Sequence, residues 1–92
     1  MEVKISSRFS KKLEKQIEFI ALDKPKAALK FQKDLIASIQ SLGDFPYKCK
    51  VSPRYNDEKV RELTFKGYTI LYRINEEDNS LIVFGFTKYE KK

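Results

Sequence analysis

Two arginines stand in strand-like sequence, where a small domain normally places its core residues. In VRELTFKGYTILYRI, residues 60–74, Arg61 and Arg73 interrupt two alternating apolar segments that join at Lys66-Gly67. A guanidinium is permanently charged, and its planar fork of donors matches carboxylate and phosphate groups. These arginines therefore serve the fold, a bound anion or a reaction at a charged group.

The composition excludes several kinds of catalysis. The chain has no histidine and one cysteine, Cys49, which removes Ser-His-Asp and Cys-His catalysis and the common zinc sites. Without an activating histidine, Cys49 is interpreted as a loop cysteine that suits a reducing cytoplasm. The acidic run at 76–78 is interpreted as a solvated turn, because adjacent turn residues rarely converge on one ion. Any catalysis would rest on Lys, Arg, Tyr, Asp or Glu, with no cofactor or metal.

The length and charge limit the architecture and the partners. A chain of 92 residues suits one domain, residues 1–92. Its net charge of +6 is shared by both halves of the chain, which suits a polyanion or an acidic protein partner. No apolar run approaches the roughly 20 residues of a membrane helix, so no membrane association is expected, and the expected location is the cytoplasm.

Hydrophobic spacing predicts an N-terminal strand and two helices. Val3 and Ile5 alternate with polar residues, and Ser7 can then cap a helix. A second helix begins near Asp23-Lys24, with Pro25 in its first turn. The apolar stripe of the first helix is Phe9, Leu13, Ile17, Ile20 and Ala21, and that of the second is Ala28, Phe31, Leu35, Ile39 and Leu42. The short link between the helices predicts an antiparallel helical hairpin, ended by Gly43.

The remaining sequence predicts a loop and three strands. The segment DFPYKCKVSPRYNDE, residues 44–58, has two prolines and no periodicity, and a loop of this length is often functional. Strands at 60–65 and 68–74 and the strand LIVFGFT then form an antiparallel meander. The predicted fold class is α+β, with the helices on one face of an antiparallel sheet of about four strands.

A two-residue turn determines which hairpin residues share a face. It pairs Phe65 with Tyr68, Leu63 with Ile70 and Arg61 with Tyr72. Arg61 then lies at the rim of the core face, where its stem packs beside Tyr72 as a structural residue. The opposite face carries Val60, Glu62, Thr64, Thr69, Leu71 and Arg73. With no helix left to cover it, this face is predicted to be open, and Arg73 is expected to pair diagonally with Glu62 or to meet an anion.

The order and spacing of these motifs resemble the RelE/ParE superfamily of toxin–antitoxin toxins. The similarity is carried by DKPKAALKFQKDLIASIQSLGDFP, then VRELTFKGYTILYRI, then a final strand and a short basic tail. The helical hairpin is most similar to the ParE branch, and the ending GFTKYEKK is closer to the HigB branch. The resemblance implies a growth-arresting type II toxin that a cognate acidic antitoxin neutralises.

The resemblance leaves two targets open. ParE-like members inhibit DNA gyrase, whereas RelE- and HigB-like members cleave mRNA on the ribosome. The basic positions of RelE fall here on Val60, Glu62 and Thr69, and its arginine after the last strand falls on Tyr89. Gyrase inhibition is therefore expected ahead of ribosome-dependent mRNA cleavage. A third hypothesis is a basic RNA-binding module without toxicity.

Two sets of site residues follow. If the chain is a nuclease, Glu62 would act as base, Arg73 and Lys88 would stabilise phosphate, and Tyr89 would stack or act as acid. The residues expected to bind the antitoxin or the target are Lys48, Lys50, Arg54, Arg73 and Lys88. They are expected to surround the open face and an edge of the sheet, where an acidic segment can add as a strand or dock as a helix.

Overall fold

Two helices pack on one face of a five-stranded sheet in the computed structural model, which describes residues 1–88. The elements are β1 (Glu2–Ile5), α1 (Ser7–Asp23), α2 (Pro25–Ser41), β2 (Lys50–Val51), β3 (Val60–Phe65), β4 (Tyr68–Asn75) and β5 (Ser80–Lys88). The strand order is β1-β5-β4-β3-β2. Within residues 1–88, no helix combines the length and the apolar character needed to cross a membrane.

The α+β class, the N-terminal strand, the helical hairpin and the three-stranded meander are confirmed. Two details of the predicted sheet are wrong. β1 pairs in parallel with β5, so the sheet is mixed rather than antiparallel. The segment predicted to be a structureless loop contains β2, which pairs with β3 and brings the sheet to five strands.

The helix boundaries follow from capping and from Pro25. α1 begins after Ser6, whose hydroxyl accepts a hydrogen bond from the Phe9 N–H at 3.1 Å. The cap predicted at Ser7 is therefore one residue late. Pro25 opens α2 directly after Lys24, where its missing N–H removes no helical hydrogen bond. All five residues of the predicted α2 stripe are buried, as their spacing requires.

The core lies between the helical hairpin and the meander. Tyr72, Ile70 and Leu81 are fully buried on the sheet side, and Leu35 and Ile39 are fully buried on α2. Each such aliphatic side chain contributes about 1.5–3 kcal/mol by leaving water. Truncating Leu35 to alanine would cost about 2–5 kcal/mol, because the helices and sheet close around it on all sides.

The register of the β3–β4 hairpin is the predicted one. Phe65 pairs with Tyr68, and Leu63 and Arg61 follow with their expected partners. The turn holds Lys66 at φ 45° and Gly67 at φ 84°, so both turn residues have the positive φ that a tight hairpin needs. The core face and the opposite face, called the second face below, are therefore assigned correctly.

The predicted openness of the second face is wrong. Val60 is fully buried there, and Glu62, Thr69 and Leu71 are each less than a tenth exposed. The covering element is the segment 52–59, called the covering segment below.

The covering segment is held along its length. Its first residue, Ser52, donates its N–H to the Val60 carbonyl at 2.8 Å. In its middle, the Tyr55 ring packs edge-on against Phe84 of β5, with ring centroids 5.9 Å apart. The segment thus extends from the β2 edge to β5, so a loop covers the second face in place of a helix.

Candidate functional site

Three of the predicted site residues line one cleft on the second face. Glu62, Lys50 and Arg54 surround a cavity of about 290 Å³ together with Thr64 and Thr69. Lys50 enters from the edge strand β2, Glu62 from β3, and Arg54 from the covering segment. A carboxylate, an ammonium and a guanidinium are therefore brought together from three places in the chain.

The Glu62 carboxylate is already occupied by partners within the fold. It is 8% exposed, accepts a hydrogen bond from Ser52 Oγ at 2.7 Å, and lies 3.8 Å from Lys50 Nζ. Ser52 is itself buried, and its hydroxyl also accepts from the Arg54 N–H at 3.3 Å. A buried carboxylate needs such partners, so Glu62 contributes to holding the covering segment on the sheet.

Arg73 does not pair with Glu62, contrary to the expectation from the hairpin register. Its Nη1 lies 2.7 Å from Asp57 Oδ2 in the covering segment. The Lys59 N–H donates to the same carboxylate, and that bond, followed by Arg73, lowers the pKa of Asp57 below its usual value. The register places Arg73 correctly on the second face. Its guanidinium pairs with Asp57 instead of the diagonal Glu62, because the covering segment brings the Asp57 carboxylate closer.

The other predicted cations lie elsewhere. Lys48 Nζ donates to Ser41 Oγ at 2.8 Å at the end of α2. Lys88 lies opposite Tyr68, whose ring packs on Phe31 of α2, so Lys88 belongs to the helix-packed face. Arg73 is near the other end of β4 and on the second face. The structure therefore does not bring Arg73 and Lys88 together, and Tyr89 lies outside the described residues.

Arg61 lies opposite the fully buried Tyr72, as the hairpin register predicts. The Tyr72 hydroxyl donates to the Pro46 carbonyl at 2.7 Å. Burial, followed by the neighbouring Cys49, raises the pKa of Tyr72 well above its usual value. Arg61 adds contacts that the sequence did not indicate, because its guanidinium donates to the carbonyls of Cys49 and Glu58, each at 2.9 Å.

A polar cluster around Tyr47 ties the segment before β2 to the β4–β5 turn. The Tyr47 hydroxyl donates to Glu76, and Lys59 Nζ contacts the Tyr47 hydroxyl at 2.8 Å and Glu76 at 3.0 Å. These contacts raise the pKa of Lys59 and lower that of Glu76, in both cases through Tyr47 first. The cluster joins residues 29 positions apart in sequence, and no local pattern indicates it.

A second pocket holds two cations that sequence reasoning missed. Arg8 and Lys12 of α1 line a cavity of about 200 Å³ with Arg54, Tyr55 and Phe84. Their spacing, i and i+4 on one helix, is the signal that could have paired them. Arg54 lines both cavities, so the two form neighbouring parts of one basic surface on the second face.

The chemistry available at this surface is recognition of anions, with one carboxylate nearby. Two cations flank Glu62 in the first cavity, and three cations line the second. Among residues 1–88, no group of three or more acidic, histidine or cysteine side chains is arranged to hold a metal ion.

The fold is that of small toxins from toxin–antitoxin systems. A chain from the chromosomal ParDE TA system of P. aeruginosa superimposes with a TM-score of 0.80 at 17% identity, covering 98% of this chain and 97% of that one. The isolated E. coli RelE toxin superimposes with a TM-score of 0.64 at 15% identity, covering 99% of this chain and 86% of that one. At these identities the likeness shows a shared fold.

The family follows from the sequence of the chain as a whole. The family model described as the ParE toxin of type II toxin-antitoxin systems, parDE, matches residues 3–87, and the chain belongs to this family. No curated protein sequence matches it. The chain is therefore a type II toxin of ParE type, and membership of a toxin–antitoxin family implies an antitoxin partner.

Proposed function

We propose that this toxin arrests growth by binding and inhibiting DNA gyrase, without cleaving nucleic acid. The proposal rests on the residue type and burial of Val60, Glu62 and Thr69. These are the positions where the RelE resemblance expects basic side chains. None is basic, and all three are less than a tenth exposed beneath the covering segment. Cleavage of RNA requires cations placed against the charge that develops on the phosphate, and these positions supply none.

The proposed antidote is a cognate acidic antitoxin that binds in the cytoplasm. The net charge of +6 favours an acidic partner, because complementary charge accelerates encounter and selects the partner. The edge strand β2 and the basic surface beside it, with Lys50 and Arg54, offer an acidic segment both a free strand edge and cations. We take the whole chain, residues 1–92, as one toxin domain.

The second candidate function is ribosome-dependent mRNA cleavage. The cleft that brings Glu62 next to Lys50 and Arg54 favours it, since a base and two phosphate-binding groups are the minimum for attack by a 2′-OH. For such cleavage, the Glu62 carboxylate would have to give up its hydrogen bond from the Ser52 hydroxyl and accept one from the 2′-OH of the substrate. A basic RNA-binding module without toxicity is the third candidate, and family membership favours a toxin over it.

Two activity assays with the purified chain test the proposal. We expect inhibition of gyrase supercoiling that the co-expressed antitoxin relieves, and no cuts in mRNA on translating ribosomes. Codon-phased cuts with unaffected gyrase would contradict the proposal. Glu62→Gln keeps the size of the side chain and removes its base, so it should leave gyrase inhibition unchanged, whereas a nuclease would lose its activity.

The antitoxin surface is tested separately by charge reversal. Lys50→Glu with Arg54→Glu should weaken capture of the antitoxin, and Arg73→Glu with Lys88→Glu tests the wider predicted surface. Lys24→Glu with Lys26→Glu, at the exposed tip of the helical hairpin, changes the charge equally and is the control. Equal binding by all three variants would exclude this docking surface.

A further inference from the structure

The pocket lined by Arg8, Lys12 and Arg54 concentrates positive charge from two distant parts of the chain. α1 contributes the first two residues, and the covering segment contributes the third. The cavity measures about 200 Å³, which accommodates a phosphate group with part of the nucleoside attached to it. Several cations converging on one cavity repel one another, so the arrangement favours a bound anion over an empty pocket.

These cations differ from most other cations of the second face in lacking partners. Within the described chain, no carboxylate lies within 4.0 Å of Arg8, Lys12 or Arg54. By contrast, Arg73 is paired with Asp57 on the same face. Arg8 and Lys12 are also one helical turn apart, a spacing at which like charges destabilise a helix. A ligand that neutralises them would remove this cost.

Two aromatic rings complete the pocket. The β4–β5 ladder shifts register between Leu71 and Tyr72, and the shift leaves Phe84 as an extra residue of β5 that meets Tyr55 edge-on. The Tyr55 side chain remains 38% exposed. Gly85 keeps the floor of the pocket low, because a Cβ there would lie 2.8 Å from Leu71 Cδ1. The pocket therefore offers a partly exposed aromatic ring next to the cations.

The side chains that line the pocket favour a phosphodiester as its ligand. Three cations and the exposed Tyr55 ring line it, and none of its lining residues is acidic. Arginine and lysine with an exposed aromatic ring are the groups that hold the backbone and stack the bases of single strands.

We propose that this pocket binds single-stranded nucleic acid, with a phosphate held by Arg8, Lys12 and Arg54 and a base stacked on Tyr55. The inference does not rest on gyrase inhibition, because the binding needs no second protein. Apart from Arg54, the pocket uses none of the residues of the Glu62 cleft.

Fluorescence anisotropy with a labelled oligodeoxynucleotide of about ten nucleotides, within the usual site size, tests the proposal. With one phosphate neutralised, the pocket should contribute a slope of about −0.7 to the fall of the logarithm of affinity with the logarithm of salt. The variant Arg8→Gln, Lys12→Gln, Arg54→Gln should bind at least about tenfold more weakly and lose most of that slope. Tyr55→Leu should weaken binding while keeping the slope, because it removes only the stacking.

The matched control removes three lysines away from the pocket, one just before α2 and two within it, by Lys24→Gln, Lys26→Gln and Lys33→Gln. Circular dichroism would establish that each variant is folded. Equal losses of affinity in the control and the pocket variant would overturn the proposal, since they would show a general effect of charge. Binding of a labelled poly-glutamate peptide that the pocket variant loses, with no measurable oligonucleotide binding by the unaltered chain, would overturn the proposal and assign the pocket to an acidic protein segment.

Discussion

Arg61 fastens the segment before β3 to the sheet, and replacing it with alanine should lower the free energy of unfolding by about 2 kcal/mol. Its guanidinium donates to the carbonyls of Cys49 and Glu58 at 2.9 Å and to that of Tyr47 at 3.3 Å, and it lies 5.0 Å from the centre of the Tyr47 ring. A charged hydrogen bond contributes about 1.5–3 kcal/mol when shielded, and two of these three are exposed. The expected loss of unfolding free energy is therefore close to the contribution of one shielded hydrogen bond, and not of three.

Urea unfolding followed by circular dichroism measures this loss directly. The midpoint should fall with an unchanged m-value, and the melting temperature should fall by about 10 °C for a chain of this size. Arg61→Lys keeps the charge and the stem but not the fork of donors, so it should recover less than half of the loss.

Arg73→Ala is the comparison for that measurement. It removes an arginine of β4 whose partner within residues 1–88 is Asp57, in an exposed ion pair, so stability should change little. A loss below roughly 0.5 kcal/mol for Arg61→Ala, or a larger loss for Arg73→Ala, would refute the assignment of these roles.

Three further outcomes are expected. Tyr72→Phe should lower stability at neutral pH by about 1 kcal/mol, because it leaves the Pro46 carbonyl without its donor. The pKa of Tyr72 is raised in the folded state, so the unaltered chain should lose stability as pH rises above about 10, where the phenol of the unfolded chain ionises. Denaturant titrations across this pH range should show a smaller loss of stability in Tyr72→Phe. Gly85→Ala should destabilise the chain by about 1–3 kcal/mol through the clash with Leu71, and a double-mutant cycle with Leu71→Ala should show partial recovery. Arg73→Ala should stay folded yet fail to arrest growth if the guanidinium contacts the target. Full toxicity of this variant would show that the role of Arg73 is its ion pair with Asp57.

The parts of the fold that local rules determine could be predicted from the sequence. A two-residue turn at Lys66-Gly67 admits one register, and alternation then assigns every residue of the hairpin to a face. Helical spacing identified the buried stripe of α2 in the same way. Each inference used residues within a few positions of one another, for which periodicity is a direct readout of geometry.

The candidate site could be predicted only in part, because it depends on contacts between distant segments. The sequence indicates Lys50, Arg54 and Glu62 individually, and the structure brings them into one cleft. Their grouping with Arg73 and Lys88 assumed an open sheet face, and the covering segment has no periodicity that would show it lying there. One signal was available: Val60 and Leu71 are apolar on the face assumed to be open, which implies that something buries them.

The covering segment also explains how a chain of net charge +6 divides its cations between folding and binding. Its Asp57 forms an exposed ion pair with Arg73, and its buried Ser52 hydrogen-bonds to Glu62 of β3, which lies beside Lys50. The same segment carries Arg54 over β4 and β5 to a pocket shared with α1. Because one loop both neutralises Arg73 and positions Arg54 beside Arg8 and Lys12, changes that loosen it should weaken the fold and anion binding together. Changes to Arg8 or Lys12 should affect binding alone.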